Sequence, residues 1–509
     1  MQRSNATYRS LLLSDGLHAA AVRWPGKPAI LFGAQSRSYG SLAERVRRVC
    51  GGAIKLGVRP GDRVAVLAPN CLEYPEIVVG LSDAGAIVAT LNARSTPHEL
   101  ASACNDCGAR YLFVHPTLAS VARAELLPTI ERTFVIGEEY EAWLASAEMA
   151  HPVPTVDERD PFTLVYSSGT TGRPKGIVIS HRSRTLTFHA MSVEYGCYGP
   201  DDYQLGLAPM AHGAGFAFIM ATLYFGGTVD IVPKFDPEQV IHKLAREPFT
   251  GVFMVPTHFQ AIFGLSASTL ERYKGQTSAL RTIISNAAAL PQPVKEKIVD
   301  YWGPGKLHET YGSTEAGIVT NLRPPHQLER PRSVGKPFAL NSIRLLDEQG
   351  ATTTPGEVGE LYSRSPYLFN GYWNQPAETE SVLRDGWVTA GDLARQDEDG
   401  FFYIVDRKKD MVVSGGINVY PREIEETLHR HPAILEAAVV GIPDEYFGEA
   451  LQAHVVVRTG MNVSNEELDA HCRETLAGYK VPKDYRRLEA LPRNAGGKVL
   501  KKDLRSPQH

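Results

Sequence analysis

The sequence predicts an α/β protein: a large N-terminal domain of layered β-α subdomains with mixed or parallel sheets plus a β-rich subdomain, then a small α+β C-terminal domain. Three observations carry that expectation. Continuous apolar runs alternate with helical stretches through roughly the first 300 residues, the pattern of strands covered on both faces. From about Ser333 to Val405 the helical pattern disappears and short β segments take over. Beyond Asp406 strands and helices mix again over a domain-sized stretch of roughly 100 residues.

Taken in order, Arg63 to Ala68 reads as a buried strand and Cys71 to Gly85 as a helix. Ile87 to Asn92 is a second strand, Thr96 to Asp106 a second helix, and Ala109 to Val114 a third strand. This β-α-β-α-β rhythm implies parallel strands with right-handed crossovers. It resumes with a strand at Tyr203 to Ala208, a helix through Phe225, a strand at Thr228 to Val232 and a helix from Asp236. Gly251 to Val255 and Arg281 to Ser285 continue the series. The β-rich stretch is punctuated by turns at Pro355-Gly356, Gly359, Asp385-Gly386 and Asp399-Gly400. In the last unit, helices are expected near Pro421 to His429 and Asn465 to Leu476. Strands there are expected at Ala437 to Ile442, Gln452 to Arg458 and near Tyr485 to Leu491. The charged run Asp406-Arg407-Lys408-Lys409-Asp410 marks the boundary, dividing the chain into 1–406 and 407–509.

Composition excludes several classes. The 509 residues correspond to roughly three domains' worth of chain. A net charge of −4 argues against generic binding of nucleic acid through its backbone. No apolar run reaches the roughly 18 residues of a membrane span; the longest, Ala214 to Phe225, ends in Gly226-Gly227. Six cysteines form no disulfide framework, and Cys104 and Cys107 lack the second pair a zinc site needs, so they read as neighbours on a helix. A large cytoplasmic enzyme, monomeric or homodimeric, is the expectation.

The strongest chemical signal is Tyr166-Ser-Ser-Gly-Thr-Thr-Gly-Arg-Pro-Lys-Gly176, directly after the strand-like Phe162 to Val165. Hydroxyls, backbone N–H groups and Lys175 in such a loop can wrap a polyphosphate. It is not a Walker A loop, because Gly172 is followed by Arg-Pro-Lys rather than Lys-Ser/Thr. Read alone, the segment leaves a surface turn open as well.

Further motifs follow in order: Tyr311-Gly-Ser-Thr-Glu315, Gly386-Trp-Val-Thr-Ala-Gly-Asp392, Asp406 to Asp410, Ser414-Gly-Gly-Ile-Asn-Val-Tyr-Pro421 and Pro492-Arg-Asn-Ala-Gly-Gly-Lys498. With the first loop, these resemble the motifs of the adenylate-forming superfamily of acyl-CoA synthetases, peptide-synthetase adenylation domains and luciferases. The chain is most similar to an AMP-forming acyl-CoA synthetase. The resemblance implies an ATP-dependent carboxylic acid–CoA ligase: a carboxylate is adenylated with release of pyrophosphate, then the acyl group passes to CoA after rotation of a mobile C-terminal domain. Adenylation gives the carboxylate a good leaving group, but carboxylate and triphosphate repel and must be neutralised.

Carried residue by residue, the resemblance assigns Lys498, Glu315, Thr314 and His212 to catalysis. Lys498 would bridge carboxylate and α-phosphate, Thr314 would donate to that phosphate, and Glu315 with Thr170 would hold Mg²⁺. The nucleotide would meet Ser167, Ser168, Gly169, Thr170, Thr171, Gly172, Lys175, Ala287, Ala288, Glu309, Thr310, Tyr311 and Gly312. Tyr311 would stack on the base, and Asp392, assisted by Arg407, would accept the ribose hydroxyls. Lys409 corresponds to the hinge, Gly415 and Gly416 to the hairpin that guides pantetheine, and Phe447 to a position stacking CoA adenine. Nine basic against three acidic residues between Lys480 and Arg505 suit polyanionic cosubstrates.

Ala211, His212, Asn286, Thr310 and Gly312 would line the acyl pocket, His212 as its gate. Asn286 and Thr310 are polar, which points to a small to medium aliphatic acid, branched or hydroxylated, because a site built to bond a hydroxyl discriminates strongly. The alternatives are an aromatic acid–CoA ligase and an enzyme that loads a carrier protein's phosphopantetheine. The chain ends shortly after Lys498, so free CoA is the expected acceptor.

Overall fold

A computed structural model describes residues 9–167, 175–277, 279–414, 417–444, 446–493 and 499–505. Among them the strands form four sheets. One holds, in spatial order, Gly371–Tyr372, Lys175–Ser180, Pro161–Ser167, Ile87–Leu91, Arg63–Leu67, Tyr111–Val114 and Arg132–Val135. The last five are parallel, whereas Pro161–Ser167 and Lys175–Ser180 form an antiparallel hairpin. Ile87–Leu91 is buried along its whole length, as an apolar strand covered on both faces requires.

The helices between these strands carry their own start and stop signals. Helix Pro97–Cys107 begins at a capping box of Thr96 and Glu99 with proline at its first position, and ends at Gly108 in the left-handed conformation. Helices Tyr39–Lys55 and Tyr74–Asp83 cross so closely that a Cβ on Gly80 would lie 2.5 Å from Val49 Cβ. Cys104 and Cys107 are both buried one turn apart on their helix.

The second sheet contains Tyr203–Gly206, Thr228–Ile231, Gly251–Met254, Thr282–Ser285 and Leu307–Ser313 in parallel, with Gly317–Leu322 turning back antiparallel. Pro28–Phe32 joins its far side, parallel to Thr228–Ile231. The chain start thus supplies a strand to a sheet formed 200 residues later, a pairing that local pattern cannot reveal. The apolar run expected as a helix is Gly213–Tyr224, packed on helices Asp15–Arg23 and His181–Tyr195 and on strands Tyr203–Gly206 and Thr228–Ile231. Surrounded in this way, its long apolar stretch is core. No helix among the described residues is long and apolar enough to cross a membrane.

The third sheet, built from Ser342–Leu346, Val358–Arg364, Leu383–Arg384, Trp387–Gln396 and Phe402–Arg407, is antiparallel throughout. The β-rich stretch is not free of helix, however: Pro376–Val382 forms a short one, with proline at its start where the missing N–H costs nothing. A fourth sheet lies wholly beyond Met411, with Ile434–Asp444 and Gly448–Val457 as its long pair. Its apolar side chains, from Val412 to Tyr485, make a core of their own with helices Pro421–His429 and Asn465–Thr475. The protein is therefore mixed α/β, with a large N-terminal and a smaller C-terminal domain.

Candidate active site

The expected phosphate loop begins at the tip of the Pro161–Ser167 and Lys175–Ser180 hairpin, where Ser167 pairs with Lys175. Ser168, Gly169, Thr170, Thr171 and Gly172 lie outside the described residues, as do Gly415, Gly416 and Lys498. Of Ser167, only the backbone is described. Lys175 is ion-paired with Glu378 of helix Pro376–Val382, and its Nζ sits 5.1 Å from the centroid of the Tyr372 ring. Tyr372 in turn donates from Oη to Glu315 Oε1 at 2.9 Å. Lys175 and Glu315, 140 positions apart, thus share one aromatic neighbour. Burial and the Glu315 carboxylate push the Tyr372 phenol well above its ordinary range, so it stays a donor.

A second cluster joins the second and third sheets. Tyr311 Oη donates to Asp392 Oδ2 at 2.5 Å, and Arg407 Nε lies 3.2 Å from Asp392 Oδ1. Asp392 and Arg407 are register partners across antiparallel strands, which fixes their pairing. The ladder shifts register between Tyr311 and Gly312 and again between Leu393 and Ala394, beside both partners. Such bulges re-aim side chains at strand ends. Asp392 is buried and Arg407 partly exposed, leaving an anionic floor with a cationic edge. Gly312 admits no side chain, because a Cβ there would fall 2.0 Å from Gly317 O.

After strand Thr282–Ser285, Ala287, Ala288 and Ala289 are exposed. Ala287 takes φ +79°, held by its N–H donating to the Asn286 side-chain oxygen. A non-glycine residue in that region costs about 1–2 kcal/mol, which this local bond offsets. Asn286 Nδ2 also donates to Thr310 Oγ1 at 2.7 Å, and Thr310 Oγ1 donates to Ser285 O at 3.4 Å. The two polar groups expected to face an acyl hydroxyl are therefore bonded to each other and to neighbouring backbone. Glu309 points inward: it forms a buried ion pair with Lys295 and accepts from Leu290 N–H at 3.2 Å.

His212 immediately precedes helix Gly213–Tyr224, where its side chain makes no capping hydrogen bond, and is partly buried next to buried Ala211. The Thr314 methyl group and hydroxyl lie 3.5 and 3.8 Å from where a Cβ on Gly213 would sit. In the connection between strands Ile434–Asp444 and Gly448–Val457, the ring of partly buried Phe447 has Lys483 Nζ at 3.5 Å and the Tyr446 ring at 4.7 Å from its centroid. At the junction of the third and fourth sheets, the Lys409 carbonyl accepts from Arg505 at 3.4 Å and Asp406 Oδ2 accepts from Arg422 N–H at 2.9 Å. Burial pushes the Asp406 carboxyl up.

Tyr372 and Glu378 escaped sequence reading. Their partners lie 57 and 203 positions away, and neither stands in a motif the residues themselves announce.

A family model for AMP-binding enzymes matches residues 17–373, and the model for the AMP-binding enzyme C-terminal domain matches residues 423–498. A feruloyl-CoA synthase from Amycolatopsis sp is 38% identical, covering 94% of this chain and 96% of that protein. A long-chain-fatty-acid–CoA ligase of Bacillus subtilis (strain 168) is 33% identical over 98% of this chain and 94% of its own. Among solved structures, ATP-bound MatB from Rhodopseudomonas palustris superposes with a TM-score of 0.89 at 29% identity, covering 98% of each chain.

Proposed function

This chain belongs to the AMP-binding enzyme family, and on that premise we propose that it is an ATP-dependent, AMP-forming carboxylic acid–CoA ligase. The observation that carries the reading is the convergence of Tyr311, Asp392 and Arg407 from two sheets. The carboxylate and guanidinium suit the two ribose hydroxyls, and the tyrosine face suits a base. The names of the relatives, a CoA synthase and a CoA ligase, support CoA as acceptor.

In this reading Lys175 leaves Glu378 to meet the triphosphate, and Thr314 donates to the α-phosphate. Glu315 and Thr170 would hold Mg²⁺. Glu315 fits that ion: Tyr372 occupies one carboxylate oxygen, and the other has no hydrogen-bond partner among the described residues. A hard oxygen donor completed by phosphate and water is what Mg²⁺ takes, and the ion would neutralise phosphate charge. Ser167, Ser168, Gly169, Thr171 and Gly172 would complete the cradle, and Lys498 would bridge carboxylate and α-phosphate. The acid's carboxylate oxygen bonds to the α-phosphorus and pyrophosphate departs; the CoA thiol then attacks the acyl carbon and AMP departs.

The proposed domains are a body of residues 1–406 and a cap of 407–509 that turns about Lys409. The separate core beyond Met411 supports this division. Rotation would bring Gly415, Gly416 and Phe447 to CoA in place of Lys498.

For the acid, an aromatic carboxylate is favoured over a small hydroxylated one. Asn286 hydrogen-bonds Thr310, so neither polar group is free to single out an acyl hydroxyl, and one relative is named for ferulate. The test is a pyrophosphate-release screen with ATP and CoA over short, medium, branched, hydroxy, long-chain and aromatic acids. AMP and pyrophosphate should appear only with an acid present, fastest with aromatic ones. Release of ADP would overturn the mechanism, and equal or faster turnover of a hydroxylated aliphatic acid would overturn the substrate class.

A further inference from the structure

Arg184, on helix His181–Tyr195, has an unusual environment for a cation. It is 8% exposed, and no Asp or Glu lies within ion-pair distance of it among the described residues. Its hydrogen bonding there reduces to one contact, Nη1 donating to Gly213 O at 3.3 Å, while Nε is buried without a partner. Burial pushes its pKa down to about 10, so it remains charged near neutrality. Stranding a guanidinium in this way costs several kcal/mol unless something anionic reaches it.

The surroundings show where that anion would come from. Arg184 lines a small cavity with Phe162, Val165, Met210, His212 and Phe216, walls that are mostly apolar and carry no carboxylate. The hydroxyl of Thr163, which also faces it, already donates to Val88 O. Gly213 lies between Arg184 and Thr314. The position a Cβ would take there is 3.8 Å from Arg184 Nη2 and 3.8 Å from Thr314 Oγ1. The guanidinium and the Thr314 hydroxyl are thus separated by at most about twice that distance. Within that limit, a carboxylate oxygen accepting from the guanidinium at roughly 2.8 Å would lie beside the Thr314 hydroxyl.

Resting on the ligase reading above, we propose that Arg184 is a substrate-binding residue that holds the reacting carboxylate of the acid beside His212 and Gly213 before adenylation. The guanidinium offsets the repulsion between carboxylate and triphosphate. When the carboxylate oxygen bonds to phosphorus its charge is lost, so the grip of Arg184 loosens as the acyl-adenylate forms. Binding energy placed on the free acid in this way orients the attack without trapping the intermediate.

The test measures binding, not turnover. Ferulate, benzoate and octanoate are titrated calorimetrically into the whole protein with Mg²⁺ and α,β-methylene ATP, which cannot be cleaved. Their acyl sulfamoyl-adenosines, which have no free carboxylate, are titrated in parallel without nucleotide. R184Q should weaken the acids at least tenfold and the sulfamates less than threefold. R184K, which keeps the charge but loses the planar fork, should weaken the acids three- to tenfold and covers the case in which R184Q does not fold. Unchanged acid affinity in the variants overturns the proposal, as does a parallel loss of sulfamate affinity, which would mark a structural role. A wild-type protein that binds none of the three acids overturns it too. Whether the protein makes AMP is read separately and judges only the ligase assignment.

Discussion

The buried pair of Lys295 and Glu309 allows a quantitative prediction. Their side chains are 1% and 6% exposed, and they join helix Gln292–Trp302 to strand Leu307–Ser313. At an effective dielectric of about 20, two unit charges in contact attract by roughly 4 kcal/mol. Removing one partner leaves the other charge buried and costs about 3–5 kcal/mol. Lys295→Met should therefore destabilise the N-terminal body by about 4 kcal/mol. Urea unfolding followed by tryptophan fluorescence reads this, since Trp302 lies at the end of the same helix. Lys295→Met combined with Glu309→Gln removes the stranded charge yet keeps an acceptor for Leu290 N–H. That variant should return to within about 2 kcal/mol of wild type. A single variant within 1 kcal/mol of wild type, or a double variant no better than the single, would refute the claim that uncompensated charge is the cause.

Two further outcomes concern Lys498 and His181. Lys498→Ala should abolish acid-dependent pyrophosphate release while sparing thioester formation from a supplied acyl-adenylate; persistence of both half-reactions would remove Lys498 from adenylation. His181 accepts the Leu13 N–H through Nδ1, and burial lowers its pKa from 6.5 to about 4. The folded state thus binds fewer protons than the unfolded one between those values. This contribution is fully present above pH 6.5 and is lost as pH falls towards 4, roughly 3 kcal/mol at 1.36 kcal/mol per unit. His181→Asn should flatten that part of the stability profile in thermal melts across pH 7 to 4, and an unchanged slope would contradict the assignment.

How much was legible depended on sequence distance. The strands Arg63–Leu67, Ile87–Leu91 and Tyr111–Val114 and their helices are specified by apolar runs, caps and glycines that act within about ten residues. Pro28–Phe32 was not, because its pairing with Thr228–Ile231 depends on a sheet completed much later. Helix Pro376–Val382 was hidden among turn signals, although Pro376 is itself a helix-start residue. At the site, the resemblance of the motifs singled out Tyr311, Glu315 and Asp392 one by one as expected site residues. It said nothing of Tyr372, Glu378 or Arg184, whose roles arise from neighbours on other elements.

The sequence by itself determined the α/β class, the change to short β segments near Ser333 and the family of the chain. Those properties rest on periodicity and on motifs contiguous in the chain. Tertiary structure decided which polar groups are already satisfied. Asn286 and Thr310, polar and suggestive in the sequence, hydrogen-bond each other, whereas Arg184, unremarkable between Ser183 and Thr185, is left buried without an anionic partner among the described residues. The physical reason is that desolvation and hydrogen-bond satisfaction are properties of a residue's surroundings in space, and packing alone assembles those surroundings.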